Sequence, residues 1–260
     1  MPLTQRREAE IAPTVESVPT VSFETFMGAF QWRQGQHLAI IGPTDSGKTT
    51  LAHALLPVQP YVTVFATKPR DSSMDRLAGE QKYLADILSK RDGYKIFSEW
   101  PNSWPTNNPA RFPHRIIWPP INRLDEETTA KQKAVFSDAM AEIYGEGSWC
   151  LYLDELYYII QQLGMGREVK MYLLQARSLK ISLAVATQRP YWVPVEVYDQ
   201  STHLFFFRDN DERNLSRIGG ISWRSADLIR KLVSNLGPHE FLYVHTGTGG
   251  LVKSKVGRNV

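Results

Sequence analysis

Two hydrophobic rhythms alternate along the chain. Short runs of consecutive apolar residues, HLAII at 37–41, YVTVFAT at 61–67, SWCLYL at 148–153, ISLAVA at 181–186 and HLFFF at 203–207, carry no polar alternation. Such runs predict strands covered on both faces. Between them, apolar residues return every three or four positions, as in an amphipathic helix. Thr49 to Leu56 reads as a helix stopped by Pro57. Residues 74–89 carry a stripe of Leu77, Leu84, Ile87 and Leu88. Residues 126–144 carry Val135, Phe136, Ala139, Met140 and Ile143, with Gly145 as the expected C-cap. Glu155 to Leu163, Arg167 to Ser178, a stretch around 211–217, and Ser222 to Asn235 closed by Gly237 complete the helices. Tyr94 to Ser98 and Arg115 to Trp118 read as short strands, and Glu240 to His245 with Leu251 to Val256 as a hairpin around TGTGG. Strands alternating with helices predict parallel βαβ units, hence an α/β fold with a mostly parallel central sheet sandwiched by helices.

Segments without either rhythm mark the loops. EWPNSWPTNNPARFPH, 99–114, holds four prolines and two tryptophans, too many breakers for a regular element. Residues 1–20 are polar, contain Pro2, Pro13 and Pro19, and read as a flexible arm. That leaves 21–260 as one domain, a size one core can fill. No internal repeat is visible. The 260 residues contain no apolar run long enough for a membrane span and no leader-like segment at the start. A single cysteine, Cys150, rules out an internal disulfide framework and fits a reducing compartment, hence a cytoplasmic setting. The net charge of +3 is too small to argue for nucleic acid. The part from Ser201 onward has nine Lys or Arg against five Asp or Glu, which reads most simply as a solvated basic face.

The first apolar run ends in Gly42-Pro43-Thr44-Asp45-Ser46-Gly47-Lys48-Thr49-Thr50, which fits the Walker A pattern GxxxxGK[ST] in full. By composition this arises about once per hundred chains of this length. Here it also joins a strand to a helix, the context that lets backbone N–H groups and the positive helix end face phosphate. Lys48 then supplies charge to the β- and γ-phosphates of ATP, and the Thr49 hydroxyl holds Mg²⁺. Asp45 stands where glycine is common, at a position that calls for an unusual backbone, and Asp reaches the left-handed region more easily than most residues. Its carboxylate is expected to point away from the phosphates.

Asp154 and Glu155 close the SWCLYL strand, at the sheet edge where α/β proteins bind ligands. Asp154 fits a Mg²⁺ ligand acting through water, and Glu155 the base for an attacking water; taken alone, Asp154 could equally cap the next helix. Thr187 and Gln188 end the next buried strand, where a polar side chain lies near a γ-phosphate. Arg177, near the end of a predicted helix, reads equally as a cation facing the helix dipole and as an arginine finger serving a neighbouring subunit.

GPTDSGKTT, CLYLDE and above all ARSLKISLAVATQRP resemble the FtsK/HerA superfamily of RecA-like (ASCE) P-loop NTPases, which includes DNA translocases, coupling proteins and viral genome-packaging ATPases. HLFFFRDNDERNLSRIGG resembles its last large strand and following helix. The resemblance runs from about residue 30 onward. It implies a homo-oligomeric, commonly hexameric ring around double-stranded DNA, driven by ATP and Mg²⁺. It makes Arg177 the trans-acting finger and carries Lys48, Thr49, Asp154, Glu155 and Gln188 over as phosphate, metal, base and sensor positions. Asp45 departs from the pattern, as does the lack of a membrane anchor or a separate DNA-reading domain. That sparseness resembles a packaging or mobile-element motor, with a portal, capsid or membrane protein as a further partner, in the host cytoplasm if the source is viral.

Pore contacts to DNA phosphates need flexible, basic loops. Gly164-Met165-Gly166-Arg167, with Lys170 a turn later, fits that need and fits a plain helix–helix turn as well. Trp100 and Trp104 could stack on bases, but tryptophans in such loops more often pin the loop to its own domain. Two other functions stay open. One is an ATPase whose nucleotide orders a surface that recruits a protein partner without moving DNA. The other, a nucleotide kinase, is disfavoured by the Asp154-Glu155 pair.

Overall fold

The structure, a computed structural model, describes residues 15–79, 94–100, 113–123, 125–219 and 226–257. Its nine described strands are β1 (His37–Ile41), β2 (Val62–Phe65), β3 (Lys95–Phe97), β4 (His114–Ile117), β5 (Cys150–Leu153), β6 (Ser182–Thr187), β7 (Ser201–Phe207), β8 (Glu240–His245) and β9 (Gly250–Lys255). They form one sheet in the order β3-β4-β2-β5-β6-β1-β7-β8-β9, parallel from β3 to β7, with β8 and β9 added antiparallel. The strands, the parallel sheet and the closing hairpin are those the apolar runs predict.

The unbroken runs follow from coverage on both faces. In β1, Ala39 and Ile41 enter one core while Leu38 and Ile40 enter the other. In β5, Leu151 and Leu153 are separated in the same way from Cys150 and Tyr152. The first core is closed by α4 (Glu126–Glu146), α5 (Gly166–Gln175) and α8 (Ala226–Ser234), through residues such as Phe136, Leu173 and Ile229. Phe136 stacks on Phe65 with ring centroids 4.2 Å apart. The second core is closed by α1 (Phe23–Ala29), α2 (Lys48–Leu55) and α3 (residues 72–79), through Phe26, Leu51, Leu55, Met74 and Leu77. Two shorter helices, α6 (Glu196–Asp199) and α7 (Glu212–Gly219), flank β7. Leu84, Ile87 and Leu88 of the expected stripe, and Trp104, lie outside the described residues.

Three local expectations are corrected. α4 runs past Gly145 to Glu146 and ends at Gly147, whose φ of 73° supplies the left-handed turn; an added Cβ there would meet the Leu179 carbonyl at 2.8 Å. The segment after β5 is a π-helix over Tyr158–Gln162 in place of a regular α-helix. Residues 18–20, expected within the arm, are docked: Val18 is buried, Lys253 N donates to Pro19 O at 2.8 Å, and Val21 N donates to Lys253 O at 2.9 Å. The free side of β9 supplies these bonds, so the segment covers an edge that would otherwise invite pairing. Trp100 is buried and its indole N–H donates to Glu142, which makes it a pin for its own domain. The guanidinium of Arg115 lies over both Trp100 and Trp149, at 5.4 and 4.1 Å from the ring centroids.

His37 and His203 are fully buried, and burial pulls their pKa values from 6.5 to about 4 and about 3. The unfolded chain takes up these protons near pH 6.5 and the folded chain does not, so their contribution is constant above 6.5 and stability falls below it. Each should cost about 1.4 kcal/mol per pH unit well below 6.5. The melting temperature of the wild type should therefore drop between pH 6.5 and 5, and His203→Gln should flatten that drop.

Candidate active site

All seven parallel strands point their C-terminal ends to one edge, and the candidate residues gathered there follow three of them, β1, β5 and β6. β6 lies between β1 and β5, with Ile41 opposite Thr187 and Leu153 opposite Val185. The phosphate loop after β1, Gln188 after β6 and Asp154-Glu155 after β5 are thus neighbours by strand order alone.

The loop is held by its glycines and by Asp45. Gly42 N donates to Thr187 O at 3.2 Å, and a Cβ on Gly42 would sit 2.6 Å from Phe207 Cβ, so no side chain fits. Gly47, at φ 106°, precedes α2. Asp45 takes the left-handed backbone, φ 59°, as its sequence position suggests. Lys48 Nζ donates back to Pro43 O at 2.7 Å. Burial lowers the pKa of Lys48, although the charges of Glu155 and Asp154 oppose the shift. Thr49 and Thr50 stand in the first turn of α2, so the loop and the helix start present their N–H groups to one space.

Gln188 bridges the loop to Glu155. Thr44 Oγ1 donates to Gln188 Oε1 at 2.5 Å, and Gln188 Nε2 donates to Glu155 Oε2 at 3.0 Å. The other carboxylate oxygen, Glu155 Oε1, is buried and has no hydrogen-bond partner among the described residues. Burial raises the pKa of Glu155, Lys48 pulls it down, and Asp154 raises it further. A carboxylate with one oriented oxygen and one unpartnered oxygen is suited to take a proton from a water placed against it.

Asp154 is buried. It accepts from Tyr152 OH at 3.0 Å and from Lys68 Nζ at 3.2 Å. Lys68 also bonds Asp71 at 3.1 Å, and although burial opposes it, the charges of Asp154 and Asp71 leave its pKa raised. Sequence reading missed Lys68 and Tyr152. Lys68 stands in no motif, and its one sequence cue is a place three residues after β2, at the same edge as the other candidates. Among the described residues no group of three or more His, Cys, Asp or Glu could hold a metal. One carboxylate and one hydroxyl suit Mg²⁺, which keeps several waters and takes the rest of its shell from substrate phosphates. Asp154, with a cation already drawn onto it, and Thr49 fit that partial donor set.

Arg177 is exposed and lies at the opposite edge. It sits in the 3₁₀ turn Ala176–Leu179 that leads into β6, and its carbonyl would be 3.1 Å from a Cβ on Gly35, just before β1. A five-residue strand, roughly 15 Å, separates that turn from the phosphate loop. Arg167 is exposed at the start of α5, whereas Lys170 is tied to Glu196 at 2.5 Å.

The class this fold defines is the RecA-like P-loop NTPase: a parallel sheet, a phosphate loop after its central strand, and one strand inserted before the acidic pair. Solved structures share this fold. The genome packaging NTPase B204 from Sulfolobus turreted icosahedral virus 2, in complex with ATP-γS, matches with a TM-score of 0.56 at 16% identity, over 86% of this chain and 98% of that one. B204, the DNA-packaging ATPase from Sulfolobus Turreted Icosahedral Virus, matches with 0.56 at 19%, over 86% and 98%. VirB4 of Thermoanaerobacter pseudethanolicus matches with 0.58 at 11%, over 85% and 89%. At these identities the likeness establishes the fold, which is the one the FtsK/HerA resemblance implied. No family model matches the sequence. No curated protein matches it either.

Replacing Lys68 leaves Asp154 a buried carboxylate without its cation. Lys68→Met should destabilise the protein by about 1–2 kcal/mol, a value discounted for the half-exposed ammonium, and Lys68→Arg should keep most of the stability. Urea denaturation measures both.

Proposed function

We propose that the chain is a Mg²⁺-dependent ATPase that works as one subunit of a ring moving double-stranded DNA. The observation that carries this reading is the split of the chemistry between two sheet edges. The phosphate loop, Gln188 and Glu155 are joined at one edge, and Arg177 is exposed at the other. Head-to-tail packing in a closed ring would bring one copy's Arg177 to the next copy's loop. The outer face of α5, leading to Arg177, exposes Met171 and Leu174 as well, which suits a covered surface.

In this reading the N–H groups from Thr44 to Thr50 and the Lys48 ammonium bind the phosphates. Lys48 leaves Pro43 O to do so. Thr49 and Asp154 would hold Mg²⁺, which supplies charge neutralisation on the phosphate oxygens. Glu155 Oε1 accepts the proton of the water that attacks the terminal phosphorus, and the bond to the bridging oxygen breaks to leave ADP and phosphate. Gln188 holds Glu155 in place and senses the loop through Thr44. The fold shared with the packaging ATPases supports a DNA substrate, and Arg167 is the exposed cation to meet it; Lys170 is engaged with Glu196. That engagement and the small net charge favour, as a second reading, an assembly ATPase that moves no DNA.

Purified protein should hydrolyse ATP with Mg²⁺, and duplex DNA at low salt should raise the rate several-fold; a rate indifferent to DNA selects the second reading. Glu155→Gln should bind ATP yet lose about 100-fold or more in turnover. Arg177→Ala and Lys48→Ala should each be inactive alone and recover part of the rate when mixed. Absence of recovery at every mixing ratio would exclude action across a subunit boundary.

A further inference from the structure

A cleft of about 380 Å³ opens beside the phosphate loop, between Pro43 to Ser46, the exit of β7 at Phe207 to Asn210, and the turn Gly237 to His239. Its position follows from strand order. β1 is flanked by β6 on one side and β7 on the other. Gln188 and Glu155 belong to the β6 side, and the cleft to the β7 side. A polyphosphate lying across the end of β1, with its terminal phosphate toward Glu155, must carry its other end toward β7.

The backbone around the cleft is unusual on both walls. Among the described residues four non-glycine residues have left-handed backbone, and two of them, Asp45 (φ 59°) and His239 (φ 60°), line this cleft. Each such residue costs on the order of 1 kcal/mol. The walls are tied together by a contact of 3.3 Å between His239 Nδ1 and Ser46 O. The acidic groups differ in availability. Both oxygens of Asp209 are engaged, by Asp211 N at 2.9 Å and Asn214 Nδ2 at 2.9 Å, so that carboxylate braces the turn before α7, which Asp211 caps. Asp45 is exposed, and its carboxylate makes no hydrogen bond among the described residues.

We propose that this cleft seats the nucleoside half of the nucleotide, with Asp45 accepting a hydrogen bond from the ribose and the His239 turn covering the base. The inference rests on the ATPase reading above. Covalent structure decides the pairing: ribose is the first group beyond the phosphates, and Asp45 belongs to the loop that holds them. An ionised carboxylate only accepts, so it favours a sugar with both hydroxyls and disfavours one lacking a donor. Near phosphate it repels, so Asp45 weakens the phosphate contribution while it adds selectivity for the sugar. That combination explains a negative charge in an anion-binding loop.

Calorimetric titration of the full chain with Mg²⁺ tests this, using three probes: the β,γ-imido analogue of ATP, its 2′-deoxy counterpart, and inorganic tripolyphosphate. The ribose form should bind 5- to 10-fold tighter than the deoxy form. Asp45→Gly, which keeps the left-handed backbone, should bring that ratio to about one and bind tripolyphosphate at least as tightly as the wild type. His239→Gly should weaken the nucleotide several-fold while tripolyphosphate binding persists. A ratio unchanged in Asp45→Gly overturns the ribose contact. Equal losses for nucleotide and tripolyphosphate in His239→Gly overturn the cleft and leave His239 as a brace for the loop. If neither nucleotide nor tripolyphosphate binds the wild type, the ATPase reading itself fails, an outcome distinct from both.

Discussion

The position of β6 between β1 and β5 is the constraint on which the rest depends. One inserted strand, about 4.8 Å wide, sets the gap between the loop that would hold phosphate and the carboxylates that would act on it. The same strand fills the gap, because its terminal Gln188 reaches Thr44 on one side and Glu155 on the other. A side chain shorter than Gln spans one gap and not both. Parallel pairing then forces every strand end to the same edge, so the chemistry gathers without any loop travelling far.

Charge balance gives that edge its second order. Two carboxylates, Asp154 and Glu155, meet two ammonium groups, Lys48 and Lys68, in a partly buried space. Each cation is held by a partner within the protein: Lys48 by a loop carbonyl and Lys68 by Asp154 and Asp71. In the proposed function a triphosphate would compete for Lys48 directly. The edge is thus closed on itself by contacts among its own charged groups.

Much of this was legible in the residues. The apolar runs of β1, β5, β6 and β7 mark the central strands because burial on both faces removes polar alternation. The glycine-rich loop and the acidic pair are legible because their chemistry needs fixed spacing. What stayed hidden depends on contacts far apart in sequence. Lys68 has no motif around it, and its meaning comes from lying 3.2 Å from a carboxylate 86 residues later. Residues 18–20 look like an arm because the β9 edge that recruits them lies at the other end of the chain. Gly145 and Gly147 compete as helix ends, and the carbonyl of Leu179 decides between them by leaving room for no side chain at 147. Lys170 reads as a free cation until α6 brings Glu196 against it.

The turn at Gly35 has a mechanical meaning. Gly35 N is held by Ser182 Oγ at 3.0 Å, and Gln34 Nε2 reaches Ser148 O, so this turn is stitched to the starts of β5 and β6 while it packs under Arg177. From there β1, hydrogen-bonded along both sides and irregular against β7 only at His37/Leu38, runs to Gly42. Such a strand behaves as a strut. In the ring proposed above, a push on one copy's phosphate loop would travel down the strut to the seat of the arginine proposed to serve the next, and the timing of neighbouring sites would be set by the stiffness of five residues.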